Sequence, residues 1–587
     1  MTPPPTSPAT APIPPADLDP STAPARPGRT LLGAPLLVFL LSLVMHVPFL
    51  GITPIAGTEG HRIFPAHEMV RSGWWMVPML FGKPLLTKPP LHLWLIALSE
   101  TIAGHGGVFV WRMPSALCGA MLCSAACWFG GRWFGKTAGL ISGFCALGML
   151  TLWGQSQVAD IDATNTLFAA LAAFCGIELF FASGRARAVW VLWAGLAIGA
   201  TLMTKGPAGA TIMLGVWVFA IVDAVRAGQI GRIARTAFWL PWLIGGAIFA
   251  AYAFAASASM KAHGISLADG LTGLREGQRH LYPESFKALL WAVFVVAELL
   301  AFGLPATIAL GCWFNPAVRD AMEPNRRRIA GALAASALIG LAVCLMTGTD
   351  NPRYEYVMLP PLCPLAGAVA MAALAAGPRE VKWLKIIAGG SAIALAGVAF
   401  ALTIGAWPLI PARVLLVACA AWSVIVCAGT IARLNSSWRG AWGLAVLIVL
   451  TAIPFGFQRH YDRANTSGIH AAQTLRQIVG KNPVVAVGGA VTSKPEVFYY
   501  AGAKVRYFPK GIEPGDVSPG MWVYLEEGER KRWLKTPGVK LERVTAIPRT
   551  PKVNDYLAWY GAGPALPNVS PGPEEKNVNR QGAKTPR

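Results

Sequence analysis

Charged residues are scarce in this chain. Only 13% of its residues are Asp, Glu, Lys or Arg, and 29 of 587 are acidic. A water-soluble globular surface carries about twice that share of charge, so a soluble enzyme or binding module of this length is excluded. Paired cysteines are also missing. The ten cysteines run from Cys118 to Cys427, lie in or beside apolar segments and include no CxxC or metal-type spacing. They read as small packing residues, which excludes a disulfide framework. No convincing internal repeat of the transporter kind is visible. A nucleotide fingerprint is absent too, because Gly488-Gly489 after a strand-like run is too little.

Apolar sequence is what the chain has in abundance, 54% by composition. Much of it forms runs of about 18 residues or more, the length that crosses a bilayer as a helix. The expected fold class is an all-α polytopic membrane protein. The formal charge of +21 would suit nucleic acid, but its distribution reads as membrane topology and attraction to lipid head groups. With residues 31–50 as the first span and a cytoplasmic N-terminus, the basic pairs and clusters fall on the inner side. These are Arg132 and Lys136, Arg185 and Arg187, Arg226 to Arg235, Arg319 to Arg328, Arg379 to Lys385, and Arg433 and Arg439. The short loops near 156–162, 204–207, 348–355 and 405–411 hold only Lys205 and Arg353 as basic residues.

That alternation fits about thirteen spans. They are expected near 31–50, 108–130, 137–155, 163–183, 188–203, 208–224, 236–257, 288–312, 329–346, 356–376, 384–404, 412–432 and 440–457. The count holds only if residues 91–104 stay interfacial or re-entrant, being too short to cross. Loops 51–107, 156–162, 258–285 and 348–355 then face outward. Around this membrane domain (31–457) the composition predicts a disordered cytoplasmic tail over 1–30 and another tail over 561–587. Residues 458–560 alternate β-rich runs (PVVAVGG, KVRYFP, MWVYLEE, VKLERVTAIP) with charged helical stretches such as GERKRWLK. They read as a small extracytoplasmic α/β domain.

The chemistry-bearing residues gather at the outer ends of the spans. Loop 51–90 carries Glu59, His61, Arg62, Glu68 and Lys88 among aromatics and prolines. Asp160 and Asp162 stand in SQVADIDATNTLF, Lys205 in LMTKGPAG, and Arg353 and Tyr354 in GTDNPRYEYVMLPPL. Loop 258–285 adds His263 and His280. Carboxylates with scattered Lys and Arg at one membrane face suit a reaction that uses a base and binds a phosphate. Each residue also has a plainer role open to it. Lys205 could snorkel at a helix end, Asp160 and Asp162 could cap a helix starting near Ala163, and Arg353 could anchor at the interface. Trp74, Trp75 and Trp94 could be belt aromatics, and the two histidines surface residues.

Taken in order, these pieces resemble the polyprenyl-phosphate-sugar-dependent glycosyltransferases of the GT-C fold. They are similar above all to the lipid A aminoarabinose transferases and the protein mannosyltransferase-like family. The pieces are Thr58-Glu59-Gly60-His61-Arg62, Glu68-Met69-Val70, Ser72-Gly73-Trp74-Trp75, Val77-Pro78, Phe81-Gly82 and Thr87-Lys88-Pro89-Pro90. Arg112-Met113-Pro114-Ser115, Asp162 before an apolar helix, Thr204-Lys205-Gly206-Pro207, and Arg353-Tyr354 before Leu359-Pro360 continue the likeness over roughly residues 30–460. Two positions depart from it. The family's leading acid is Thr58 here, and the acid before Lys-Pro-Pro, which helps hold a metal in some relatives, is Thr87.

The resemblance implies an inverting transfer from a polyprenyl-phosphate-linked sugar to a glycolipid of the lipid A kind or a protein. The expected setting is the periplasmic face of the bacterial inner membrane, among membrane lipids. It implies Glu59, Asp162 or Asp160 as base or orienting acid. Lys88, Lys205 and Arg353 would face the leaving phosphate, with Tyr354, His61 and Arg62 in the substrate site. No cofactor is assigned, and a divalent metal loses its carboxylate ligand at Thr87. A non-catalytic, lipid-binding homologue, a flippase and a membrane scaffold are the competing classes.

Overall fold

The computed structural model describes residues 33–206 without 52, then 211–233, 236–265, 303, 306–346, 356–383, 468–480, 484–487, 495–508, 512–550 and 553–561. Expected spans 384–404, 412–432 and 440–457, most of 288–312, and the two tails lie outside the described residues, as do Arg353, Tyr354 and His280. The chain divides into two compact units, residues 1–467 and 468–587.

The first unit is helical. It opens with α1 (Gly33–His46), continued by a 3₁₀ turn over Val47–Phe49, and the following loop folds into α2 (Gly60–Ser72). The short antiparallel pair β1 (Met79–Leu80) and β2 (Lys83–Pro84) leads to α3 (Leu91–Ala103). Thirteen residues make α3 about 20 Å long, short of a hydrocarbon core about 30 Å thick. Helices α4 (Val108–Phe134), α5 (Lys136–Gly148), α6 (Leu150–Ser156), α7 (Ile161–Phe181), α8 (Gly184–Lys205), α9 (Thr211–Arg226) and α10 (Thr236–Ala262) follow. After them come α11 (Ala306–Trp313), α12 (Pro316–Asp320), α13 (Pro324–Met346) and α14 (Leu362–Ala376).

Among the described residues, five helices are long and apolar enough to cross a membrane: 108–134, 161–181, 184–205, 237–262 and 356–376. The molecule is a multi-pass membrane protein. One expected element changes form. The segment 137–155 is not a single helix, because the backbone turns extended at Met149 (φ −70°, ψ 116°) and separates α5 from α6. The break lets Ser156 pack directly over Gly119, where a Cβ would lie 1.9 Å from the Ser156 hydroxyl.

Without a hydrophobic drive between helices in lipid, close packing has to come from small residues. A Cβ on Gly139 would stand 2.6 Å from both the Cys127 carbonyl oxygen and the Gly131 Cα, and one on Gly367 2.3 Å from the Ala138 carbonyl oxygen. Helices α4, α5 and α14 therefore touch backbone to backbone. The central helix α7 is the most enclosed beside them, with Ala169, Ala170, Ala172, Ala173 and Phe174 all fully buried. By contrast, α10 leaves Trp239, Leu243 and Phe254 exposed, an apolar surface suited to lipid.

The second unit is a five-stranded mixed sheet in the order β4-β3-β5-β7-β6. Its strands are β3 (Val484–Val487), β4 (Lys504–Tyr507), β5 (Met521–Glu526), β6 (Leu541–Thr550) and β7 (Val553–Tyr560). β3 runs parallel to both β4 and β5, and β7 runs antiparallel to β5 and β6. Val523, Leu525 and Trp533 form its core with Ala486 and Ala558.

Candidate active site

The site is built where α2, α4, α7 and α8 bring their charged ends together. Its organiser is Arg112, near the start of α4 and fully buried. Its Nε and Nη2 donate to the two carboxylate oxygens of Glu59, each at 2.8 Å. Nη1 donates to the carbonyls of Leu50 (2.8 Å) and Thr53 (2.9 Å), and Nη2 also to that of Pro54 (2.9 Å). A planar fork of five donors suits this work, since each strand of an irregular buried loop must find partners for its backbone. Glu59 in turn accepts from the backbone N–H of Ala56 (3.2 Å) and of Ala159 (2.8 Å). The carboxylate expected as a base is thus a fourfold acceptor that ties the loop before α2 to the segment before α7.

That segment delivers Asp160. Its backbone is extended (φ −129°, ψ 158°), and its carboxylate caps α7 by accepting from Ile161 N–H at 2.8 Å. The same carboxylate accepts from the Thr58 hydroxyl and from Arg62 Nε (3.3 Å). Thr58 therefore presents an alcohol to Asp160 where the resembling family places an acid. Arg62 is buried but commits only its Nε; Nη1 and Nη2 have no hydrogen-bond partner among the described residues. In the first turn of α7, Asp162 pairs with Lys205 at the end of α8 (Nζ to Oδ1 2.7 Å), and both are buried. Lys205 does not snorkel; its ammonium is drawn inward by that carboxylate.

His92 of α3 completes the inner wall. Its Nδ1 lies 2.9 Å from Thr164 Oγ1, whereas its buried Nε2 has no partner among the described residues. Burial pushes the imidazole down to about 4, against the upward pull of nearby Asp160. The ring is therefore neutral at physiological pH. The loop between α2 and α4 is held by aromatics. Trp111 Nε1 and His67 Nδ1 both meet the Glu100 carboxylate at 2.6 Å, and Trp94 Nε1 donates to the Trp75 carbonyl at 2.7 Å. Trp74 donates to Ser259 Oγ at 2.8 Å and stacks on His263 with centroids 4.0 Å apart. These tryptophans hold the loop together, beyond any belt role.

Glu59, Arg62 and Asp160 are thus brought together, and Asp162 and Lys205 form a second pair two residues along. His61 is half-buried on the first turn of α2, and Lys88 is partly exposed just before the Pro90 cap of α3. Arg112 and His92 escaped functional assignment in the sequence, although an arginine in VWRMPSA and a histidine in LHLWLIAL, each amid apolar residues, are costly placements that signal a role. No group of three or more His, Cys, Asp or Glu side chains suited to a metal occurs among the described residues.

Comparison with known proteins agrees with this architecture. Residues 87–254 match the family model described as dolichyl-phosphate-mannose-protein mannosyltransferase. The undecaprenyl phosphate-alpha-4-amino-4-deoxy-L-arabinose arabinosyl transferase of Pseudomonas savastanoi pv. phaseolicola is 29% identical over 226 residues, 37% of this chain and 41% of the relative. The Aeromonas salmonicida protein of the same name is 28% identical over 192 residues, 30% of this chain and 34% of its own length. The aligned stretch thus spans less than half of either relative. The crystal structure of ArnT from Cupriavidus metallidurans bound to undecaprenyl phosphate superposes with a TM-score of 0.64 at 17% identity, covering 90% of this chain and 97% of that one. Its apo form gives 0.62 at 18% identity over the same shares, 90% and 97%. The chain is therefore a multi-pass membrane protein of the GT-C glycosyltransferase fold, similar to the aminoarabinose transferase family.

Proposed function

We propose that the protein is an inverting glycosyltransferase that moves a sugar from a polyprenyl-phosphate donor to an envelope glycolipid of the lipid A kind. In this reading the membrane domain 31–457 carries the reaction across about thirteen spans in the bacterial inner membrane. The active site and the α/β unit face the periplasm. The single observation that carries the reading is the cluster of Thr58, Arg62 and Asp160 beside the Asp162–Lys205 pair, at one end of a fold shared with a protein solved with undecaprenyl phosphate.

The chemistry follows from charge. A lipid phosphate is already a competent leaving group, so the site mainly has to hold the acceptor in line and stabilise the phosphate as negative charge gathers on it. The two unengaged amino groups of Arg62 form a fork aimed at such an anion. Lys88 of the Lys-Pro-Pro turn adds a point charge, and the resemblance gives Arg353 and Tyr354, which lie outside the described residues, a part in binding the same phosphate. Asp160 orients the acceptor oxygen and takes its proton as the anomeric carbon is attacked from the face opposite the phosphate. Glu59 is better placed as the group that positions the loop, since all its strong acceptor directions are used. Asp162 fixes Lys205, whose charge raises the local positive potential.

The test is mass spectrometry of envelope lipids from deletion, complemented, Asp160→Asn and Arg62→Gln strains. The expected result is a sugar-sized mass present with wild-type protein and lost in the deletion and in both variants. Full product from Asp160→Asn would move the base elsewhere. The replacement of two family acids by Thr58 and Thr87 favours one second reading, lipid binding without turnover. It predicts identical lipid profiles in all four strains while the purified protein still retains polyprenyl phosphate.

A further inference from the structure

At the end of the membrane unit remote from this site lies a second charged constellation that sugar transfer does not use. Helix α7 sets the separation. Asp162 is in its first turn, whereas Phe181 ends it, with the Arg328 guanidinium 5.4 Å over the ring. Twenty-one helical residues hold these ends about 30 Å apart, a full hydrocarbon thickness. By the positive-inside distribution, this is the cytoplasmic face.

Here α9, α11, α12 and α13 border an open cavity of about 440 Å³. Four arginines line it, Arg226, Arg319, Arg327 and Arg328, against two acids, Asp223 and Asp320. Both acids are taken. Arg328 donates to Asp223 from Nε at 3.1 Å and again from Nη2, and Arg327 Nη1 reaches Asp320 at 3.2 Å. The exposed Arg226 and the half-buried Arg319 have no counter-charge among the described residues, and the buried Nε of Arg327, whose Nη2 donates to the Asp320 and Met322 carbonyls, has no acceptor there. Two positive charges and one buried, orphaned donor thus line one cavity, and an anion with several acceptor oxygens would pair with the charges while giving the Arg327 Nε its missing acceptor.

The rest of the wall says what carries that anion. Phe219 and Trp313 line the cavity with rings, and Val222, Val225 and Phe314 stand exposed on the same elements. A free phosphate would gain nothing from these apolar surfaces. A phospholipid, with its phosphate on the arginines and an acyl chain along the rings, uses both. We propose that this cavity binds the phosphate head group of an anionic phospholipid on the face opposite the transfer site.

The test uses the full-length protein in detergent and native mass spectrometry. The probes are phosphatidylglycerol, cardiolipin, zwitterionic phosphatidylcholine and inorganic phosphate, each titrated against wild type and the Arg226→Gln/Arg319→Gln double variant. Neither arginine takes part in the transfer site, so lipid-free melting of the variant serves as the folding control. Wild type should retain the anionic lipids, with about thirtyfold weaker retention in the double variant, and should show little preference for phosphatidylcholine. An Arg319→Lys variant keeps the charge and should lose only part of the effect. Equal retention by wild type and double variant, or equal retention of phosphatidylcholine, overturns the proposal. Inorganic phosphate competing as strongly as lipid overturns the lipid as its source and leaves a soluble-anion site.

Discussion

Replacing Arg112 by Met removes the organiser of the outer loop at nearly constant length. The substitution leaves the Glu59 carboxylate buried at 1% exposure with two backbone N–H donors in place of four hydrogen bonds. Breaking a buried ion pair from one side costs about 3–5 kcal/mol. The carbonyls of Leu50, Thr53 and Pro54 lose their donor as well, and at about 1 kcal/mol of further loss the total is roughly 4–6 kcal/mol. Unfolding entropy near 2.1 cal/mol/K per residue means that the unit ending at Ser467 loses roughly 1 °C per kcal/mol when it melts as a whole. A fall of about 4–6 °C is therefore expected in tryptophan-fluorescence melting of detergent-purified protein at one scan rate. In Arg112→Met/Glu59→Gln the stranded charge is gone, so the double variant should lose about 2 kcal/mol less than the two single losses added together. A melting point within 1 °C of wild type for Arg112→Met, or strict additivity in the double variant, would refute the account of Arg112 as the loop's anchor.

Lys205→Met should strand the buried Asp162 charge and lower folded yield sharply, at a cost of about 3–5 kcal/mol. Adding Asp162→Asn should restore the melting point without restoring transfer, and size-exclusion profiles with lipid analysis separate the two outcomes. Gly139→Ala forces a Cβ to within 2.6 Å of backbone atoms of α4, which only helix separation can relieve. About 1–3 kcal/mol or more should be lost, seen as a lower melting point and reduced monodispersity in detergent. Glu68, on α2, has its carboxyl pushed above the usual 4.5, by burial first, against the pull of the Gly82 and Phe81 N–H groups. Its protonated form suits the folded state, so its contribution is complete below the unfolded value and is lost as pH rises through the folded one. Glu68→Gln should accordingly match wild type near the acid limit and melt higher at neutral pH. A difference that does not change with pH would contradict this.

The membrane class and the order of helices were legible because long apolar runs and lopsided arginines are one-dimensional signals. So was the crowding of Glu59, Arg62 and Asp160, since each stands in a loop next to the end of an apolar run. Their division of labour was not legible. A carboxylate's role depends on who donates to it, and only folding shows that Arg112, fifty-three residues away, occupies Glu59 while Thr58 and Arg62 turn to Asp160. Met149 was hidden for a different reason. FCALGMLTLWGQ is mostly apolar and has no proline, and what the break between α5 and α6 serves, the close approach of Ser156 to Gly119, is a tertiary contact. Lys205 misled through base rates, because most lysines at helix ends do reach for water.

Helix α7 is pinned at both ends by charge. At one end stand the Asp160 cap and the Asp162–Lys205 pair; at the other, Glu178 accepts from Arg132 Nη2 at 3.1 Å and from Trp133 Nε1 at 2.8 Å. A carrier that moves cargo by rocking needs its central helices to slide or rotate by a turn, some 5.4 Å. For α7 any such stroke would tear open a buried ion pair on each side of the bilayer at once. The helix behaves as a bolt through the membrane, and whatever meets the charged groups at its ends has to come to it.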